Sequence, residues 1–308
     1  MKNKKFLNIH ILIVIYFIFL LIKKTILLLL HKKYTLFISN NNIIENFNSN
    51  KIPKIIWGYW NTGINNAPFL VKQCIKNWKK YNPTWEINIL DDSNLEKYID
   101  LNELKEINVN YAFVKKKADL IRCILLENYG GIWMDSSIFL TESLDWILKL
   151  QIEKNVEVIC FYQEVFTTNI KYPVIENWFI ASTKGSKLIK LWKKDFKSYL
   201  EIGYNKYINN IKLLNINTQN IDNLKYLTMH VSAQKILQLN NNLNIYTIPS
   251  GYGPFKYNIK YNWDRYKTLN YILFEDIKET ISDIPKIIKF RGSERRVFNE
   301  IFNTKKQN

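Results

Sequence analysis

The sequence predicts an α/β fold, and three observations carry that prediction. Short apolar runs alternate with segments of helical period between residues 52 and 134. A Gly-Gly pair separates the strongest helical segment from the strand that follows it. An aspartate ends that strand, at the edge where open α/β sheets place their ligands.

The elements read in order as follows. Ile52 to Trp60 (IPKIIWGYW) is a buried first strand opened by Pro53. Pro68 to Tyr81 carries Phe69, Val71 or Lys72, Ile75 and Trp78 at helical spacing. Trp85 to Leu90 alternates as a second strand, and Asp91-Asp92-Ser93 makes a turn or helix cap. Tyr111 to Tyr129 is a helix with Val114, Ala118, Ile121 and Leu125 along one stripe, stopped by Gly130-Gly131. Ile132 to Met134 is a short strand with Asp135 just past it. Glu157 to Phe161 and Ile175 to Ala181 are further strands, and Ser186 to Glu201 is an amphipathic helix. Glu201 to Asn223, rich in Asn, Ile and Lys, reads as a loop. Thr228 to Leu239 is a short helix carrying His230, and Pro285 to Arg296 is a strand ending in a basic loop.

Composition narrows the function classes. Of the 308 residues, 47% are hydrophobic and 15% aromatic, which excludes a disordered chain. There are 44 basic and 27 acidic residues, a net charge of +17, so anionic partners such as phosphates, nucleic acid or an acidic membrane surface are favoured. Cys74, Cys123 and Cys160 are widely spaced, which argues against a disulfide framework or a zinc site and for small core hydrophobes. His10, His31 and His230 are too scattered for a His-rich site, so any metal chemistry falls to carboxylates and a hard cation.

The first fifty residues differ from the rest. Residues 6–30 contain the unbroken apolar run Ile11 to Ile22, interrupted by Lys23 and Lys24 and resumed to Leu30. The run reads as a retained single-pass membrane anchor; a helix lying in the interface is the alternative. Lysines flank both ends, so orientation is left open. Seven lysines and no acidic residue precede Glu45, leaving +10 on the remainder. Residues 34–50 are an Asn-rich stem. The division that results is a tail and anchor over 1–33, a stem over 34–50, a catalytic domain over 51–300 and a tail over 301–308.

Three blocks, in order, resemble the capsular polysaccharide synthesis family of glycosyltransferases and the wider D-x-D sugar-transferase group that includes clostridial toxin glucosyltransferases. They are IPKIIWGYW at 52–60, KADLIRCILLENYGGIWMDSSIFL at 117–140 and ENWFIAS at 176–182, with WKKYNPTWEINILDD at 78–92 between the first two. The middle block is the specific one, because A-D-x-x-R followed by G-G-I-W-x-D is a far rarer pattern than a lone D-x-D. The resemblance covers residues 51–185 well and the last third weakly.

That resemblance implies a GT-A fold, a Rossmann-like mixed sheet flanked by helices, and transfer of a sugar from a nucleotide-sugar donor to a glycan or lipid-linked acceptor, with retention of anomeric configuration. It implies that Trp57 stacks on the donor base, that Asp119 and Arg122 hold donor sugar and phosphate, and that Asp135 meets donor and metal. Asp119 and Asp135 are the implied catalytic pair. Asp119 and Arg122 also lie on one helix face by their i, i+3 spacing alone. The D-x-D reads Asp135-Ser136-Ser137 here, with a hydroxyl in place of the second carboxylate. Asp135, Ser137 and donor phosphates are the expected oxygen set for Mn²⁺ or Mg²⁺. The competing arrangement neutralises the leaving diphosphate with basic residues of the C-terminal loop, Lys289, Arg291, Arg295 and Arg296. Two other classes remain: a non-catalytic sugar- or nucleotide-binding scaffold on the same fold, and a basic membrane-anchored nucleic-acid-binding protein. No nucleic-acid-binding motif supports the second.

Overall fold

The computed structural model describes residues 51–105, 113–274 and 283–303. Its centre is a six-stranded mixed sheet. Strands β1 (Ile55–Tyr59) and β2 (Glu86–Leu90) run parallel, with Trp57 opposite Asn88. Helix α1 (Phe69–Tyr81) makes the crossover between them, as a parallel pair requires. Helix α2 (Phe113–Tyr129) returns the chain to β3 (Gly131–Met134), parallel to β1 on its other side. The turn into β3 needs glycine. Gly130 and Gly131 both have positive φ, and a Cβ on Gly131 would lie 2.6 Å from the carbonyl oxygen of Ile55.

Beyond β3 the sheet becomes partly antiparallel. Strand β4 (Ile138–Leu140) leaves the sheet and helix α3 (Asp145–Lys154) follows it. Strands β5 (Val158–Tyr162) and β6 (Ile175–Ser182) pair antiparallel, and β6 pairs antiparallel with β3. Helices α4 (Lys187–Ile202), α5 (Tyr204–Leu213) and α6 (Thr228–Leu239) lead to β7 (Ile245–Pro249), which is parallel to β5. The strand order is β2-β1-β3-β6-β5-β7. Helices α7 (Lys256–Lys260) and α8 (Arg265–Phe274) precede β8 (Ile287–Lys289), and α9 (Gly292–Asn303) follows it. Strand β8 pairs antiparallel with β4, putting Lys289 opposite Ile138.

Strand alternation divides the core into two layers. Trp57, Trp133 and Ile180 face α2, α4 and α6, where they meet Leu120, Ile124, Trp192 and Met229. Ile56, Ile132 and Met134 face the other way and meet Ile75 and Trp78 of α1, with Ile138, Leu144 and Ile287. Helices therefore cover both faces of the sheet. The three cysteines are buried free thiols, in keeping with small core hydrophobes.

Three expectations change. Residues 204–213 are helix α5 and not loop, because Tyr207 and Ile211 are one turn apart and both buried. The basic segment after Lys289 is the start of helix α9 and not a loop. The anchor expected over residues 6–30 falls outside the described residues. Among the described residues no helix is long and apolar enough to cross a membrane, which corrects the expected single-pass membrane localisation. Strands β4 and β7 and helices α3, α7 and α8 had no counterpart in the sequence reading.

Candidate functional site

Helix α2 ends in the Gly-Gly turn, so the side chains of its third turn sit beside the carboxyl end of β3. Asp119 and Arg122 project from one face of α2 and form a buried ion pair. The other guanidinium nitrogen, Nη2, reaches Asp135 Oδ1 at 3.5 Å. The guanidinium also lies over the Trp133 ring, 5.0 Å from its centroid. Asn177 of β6 donates from Nδ2 to Asp119 Oδ1 at 2.9 Å. Asp119 thus collects two donors while Arg122 bridges two carboxylates.

Asp135 is pinned at the strand end by its own N–H, which donates to the Trp178 carbonyl at 2.9 Å. Its side chain is 33% exposed, against 11% for Asp119, so Asp135 is the carboxylate a ligand can reach. Trp133 Nε1 donates to Asp135 Oδ1 at 3.3 Å, and Lys289 Nζ donates to Oδ2 at 3.0 Å. Lys289 Nζ also donates to Ser137 Oγ at 3.0 Å, and Arg295 Nη1 donates to the same oxygen at 3.0 Å. The β4–β8 pairing delivers both cations, since it lays the C-terminal segment against the strand that follows Asp135.

These contacts separate the two carboxylates electrostatically. Burial pushes the Asp119 carboxyl up, against the pull of Arg122, Lys116 and His230. Burial also opposes ionisation of Asp135, but the charges of Lys289 and Arg122, with hydrogen bonds from Lys289 and Trp133, outweigh it and hold that carboxyl below its ordinary range. For Lys289, burial lowers the ammonium's value, Asp135 works against that shift, and Arg295 adds to it.

The structure brings together Asp119, Arg122, Asp135, Ser137 and Lys289 and leaves two expected residues outside. Trp57 is 1% exposed; its Nε1 donates to the Gly130 carbonyl at 2.8 Å, and Tyr98 and Tyr129 pack on the ring at 5.3 and 5.4 Å between centroids. Its ring is enclosed, and it braces the Gly-Gly turn instead of offering a stacking platform. Arg291 turns away: it pairs with Glu294 and donates from Nη2 to the Trp263 carbonyl at 3.0 Å. Arg295, one turn along α9, reaches the site in its place.

The structure also adds residues. Glu176 and Asn177 lie side by side on β6, and His230 Nε2 is 3.2 Å from Glu176 Oε2, both side chains being buried. Gln163 Nε2 donates to Glu176 Oε1 at 3.4 Å. The signal was present in the sequence: the adjacent polar residues Glu176 and Asn177 interrupt the apolar run of the strand IENWFIAS, and buried polar groups require partners. His230 is therefore a partnered buried histidine that backs the site. The turn at 91–93 is a local one, with Asp91 Oδ1 accepting from the Ser93 N–H and hydroxyl.

The profile of the family described as capsular polysaccharide synthesis protein matches residues 18–248, three quarters of the chain. The chain belongs to this family. Among curated proteins it is similar to O-glycosyltransferase braB of Annulohypoxylon truncatum, 30% identical over 155 residues, covering 47% of this chain and 37% of that protein. It is also similar to glycosyltransferase afumC of Aspergillus fumigatus, 27% identical over 157 residues, covering 46% of this chain and 39% of that protein. The matches thus span under two-fifths of either relative. Among solved structures, PaToxG Glycosyltransferase superposes with a TM-score of 0.40 at 15% identity, over 76% of this chain and 82% of that one, too loosely to carry weight.

The divalent cation expected at Asp135 and Ser137 can be tested against the donor set. A hydroxyl oxygen has two acceptor lone pairs, and Ser137 Oγ already accepts from Lys289 and Arg295. The Lys289 ammonium sits on the open oxygen of Asp135. At an effective dielectric of 20, a unit charge about 4 Å away repels another by about 4 kcal/mol, and a divalent ion by twice that. No group of three or more His, Cys, Asp or Glu that could hold a metal occurs among the described residues. The residues present do not fit a resident divalent ion.

Proposed function

We propose that residues 51–300 form a GT-A-type domain that transfers a sugar from a nucleotide-sugar donor to a hydroxyl of a glycan or lipid-linked acceptor. The observation that carries this reading is the array at the end of β3: one accessible carboxylate, Asp135, flanked by Arg122 and Lys289. Such an array suits a ligand that presents hydroxyls and phosphates together, because carboxylates accept from hydroxyls and cations pair with phosphates.

In the reaction, the bond between sugar C1 and the diphosphate oxygen breaks and its electron pair leaves with the diphosphate. The acceptor oxygen forms the new bond to C1, and its proton ends on the departing diphosphate. Asp135 accepts from the donor sugar. Arg122 supplies positive charge and is held in line by Asp119, which Asn177 steadies in turn. Retention at C1 is the expected stereochemical outcome. No step is assigned to Trp57, Arg291 or a metal ion.

The test is a panel of UDP- and GDP-sugars against the full chain, read by thermal stabilisation and by release of nucleoside diphosphate. A matching donor raises the melting temperature by mass action and is turned over slowly to free sugar. If every nucleotide-sugar and nucleoside diphosphate fails to shift the melting temperature at millimolar concentration, the reading is wrong.

A further inference from the structure

A nucleoside diphosphate carries several negative charges, and a site that binds it must supply positive charge within hydrogen-bond reach. In this chain the oxygens expected to hold a cation are held by side-chain cations instead. Lys289 Nζ lies 3.0 Å from Asp135 Oδ2 and 3.0 Å from Ser137 Oγ. Arg295 Nη1 lies 3.0 Å from the same Ser137 oxygen.

Lys289 occupies that place by construction. It is the last residue of β8, in register opposite Ile138, and is itself buried. Its N–H donates to the Pro254 carbonyl at 3.1 Å, and the next residue, Phe290, donates to the Ser137 carbonyl at 3.0 Å. The backbone is thus fixed on both sides of the side chain, so the ammonium is pre-positioned. Arg295 is set by helix α9, and its guanidinium lies over the Trp60 ring at 5.9 Å. Asp135 faces the buried ammonium and opposes the loss of charge that burial favours.

We infer that Lys289, assisted by Arg295, takes the place of a divalent cation in this chain, so that diphosphate binding and departure need no metal. This inference rests on the proposed glycosyl transfer and names how its leaving group is stabilised. When the C1–O bond breaks, the charge that builds on the diphosphate oxygen is met by N–H donors of Lys289 and Arg295. No proton needs to move from either side chain, and no co-reactant is required. Ser137 serves as a hinge point that holds both donors through its lone pairs. It is not a metal ligand.

The experiment is calorimetric titration of the full chain with UDP, GDP, UMP and GMP, each in excess EDTA and again in millimolar Mn²⁺. The diphosphate that binds is expected to do so with equal affinity in both buffers. Lys289→Met is expected to weaken that diphosphate in EDTA by about tenfold or more, and the matching monophosphate less, as fits loss of a charge-assisted contact. Lys289→Arg retains charge and is expected to recover most of the affinity, which separates a binding role from a folding defect. Arg295→Gln, on the more open helix, gives a smaller loss. Ser137→Asp combined with Lys289→Gln restores an all-oxygen set and is expected to make binding depend on Mn²⁺. Binding seen only with Mn²⁺ overturns the inference and leaves the transfer reading standing. A folded Lys289→Met protein with unchanged affinity in EDTA also overturns it. Absence of diphosphate binding in both buffers overturns the transfer reading and the inference together.

Discussion

Asp119 and Asp135 share one guanidinium but sit in opposite surroundings. Asp119 is enclosed on helix α2, accepts from Arg122 and Asn177, and has its carboxyl pushed up by burial. Asp135 stands at an open strand end among Arg122, Trp133 and Lys289, and its carboxyl is held down. The difference shows how one pattern of acidic residues divides its labour. The enclosed carboxylate is paired with the arginine, and the open one, 33% exposed, is the one the proposed reading assigns to the ligand.

The harshest way to break that division is Arg122→Ala. It strands a buried carboxylate and removes a cation from Asp135, and loss of one partner of a buried pair costs about 3–5 kcal/mol. Chemical denaturation should show that loss, and a change below 1 kcal/mol would mean that Arg122 is not the bridge. Asp135→Asn comes next. It keeps the shape of the strand end and is expected to cut transfer by about 100- to 1,000-fold, the scale for removing one preorganised charge contact. Equal loss with Asp119→Asn at unchanged stability would erase the distinction between the two carboxylates.

Acid unfolding sharpens the same comparison. The Asp135 carboxyl lies below its unfolded value, so its contribution to stability is present above the unfolded value and drains away as pH falls through the folded one. Asp119 has the opposite sign: its raised folded value makes protonation on acidification favour the folded chain. Relative to the parent, Asp135→Asn should therefore lose less stability on acidification and Asp119→Asn should lose more. Parallel melting-temperature profiles would refute that ordering. The smallest effect is expected from Trp57→Phe, which removes the hydrogen bond to Gly130. With the cavity left by the smaller ring and the stranded Gly130 carbonyl, that should cost about 1–3 kcal/mol of stability and leave nucleotide affinity unchanged, whereas a large affinity loss in a stable variant would return Trp57 to the binding site.

The parts of this site that were legible in the sequence are those encoded locally. Asp119 and Arg122 are one helical turn apart, and a Gly-Gly break sets the distance from them to Asp135, so spacing alone groups all three. What period 2 cannot say is which face of a strand stays open. Trp57 shares its face with Trp133 and is enclosed by Tyr98 and Tyr129, residues that come together only in the fold. The basic run Lys289 to Arg296 was visible, but its members could not be ranked before helix α9 was known. Once Gly292 starts that helix, Glu294 captures Arg291 and the next turn frees Arg295 for Ser137. Helix α5 was hidden by its asparagine-rich composition, although Tyr207 and Ile211 already carried the helical interval.

The β4–β8 pairing has a consequence for the order in which the site comes into being. Arg122 and Asp135 are thirteen residues apart, whereas Lys289 and Asp135 are separated by 154. Contacts of short separation close early and cheaply, and those of long separation wait for the chain between them. As synthesis proceeds from the N-terminus, the arginine and both carboxylates can be assembled while the lysine has yet to emerge. Until β8 pairs with β4, the acidic half of the site would lack its matching ammonium. On the proposed reading, competence to grip a diphosphate would then await the docking of β8.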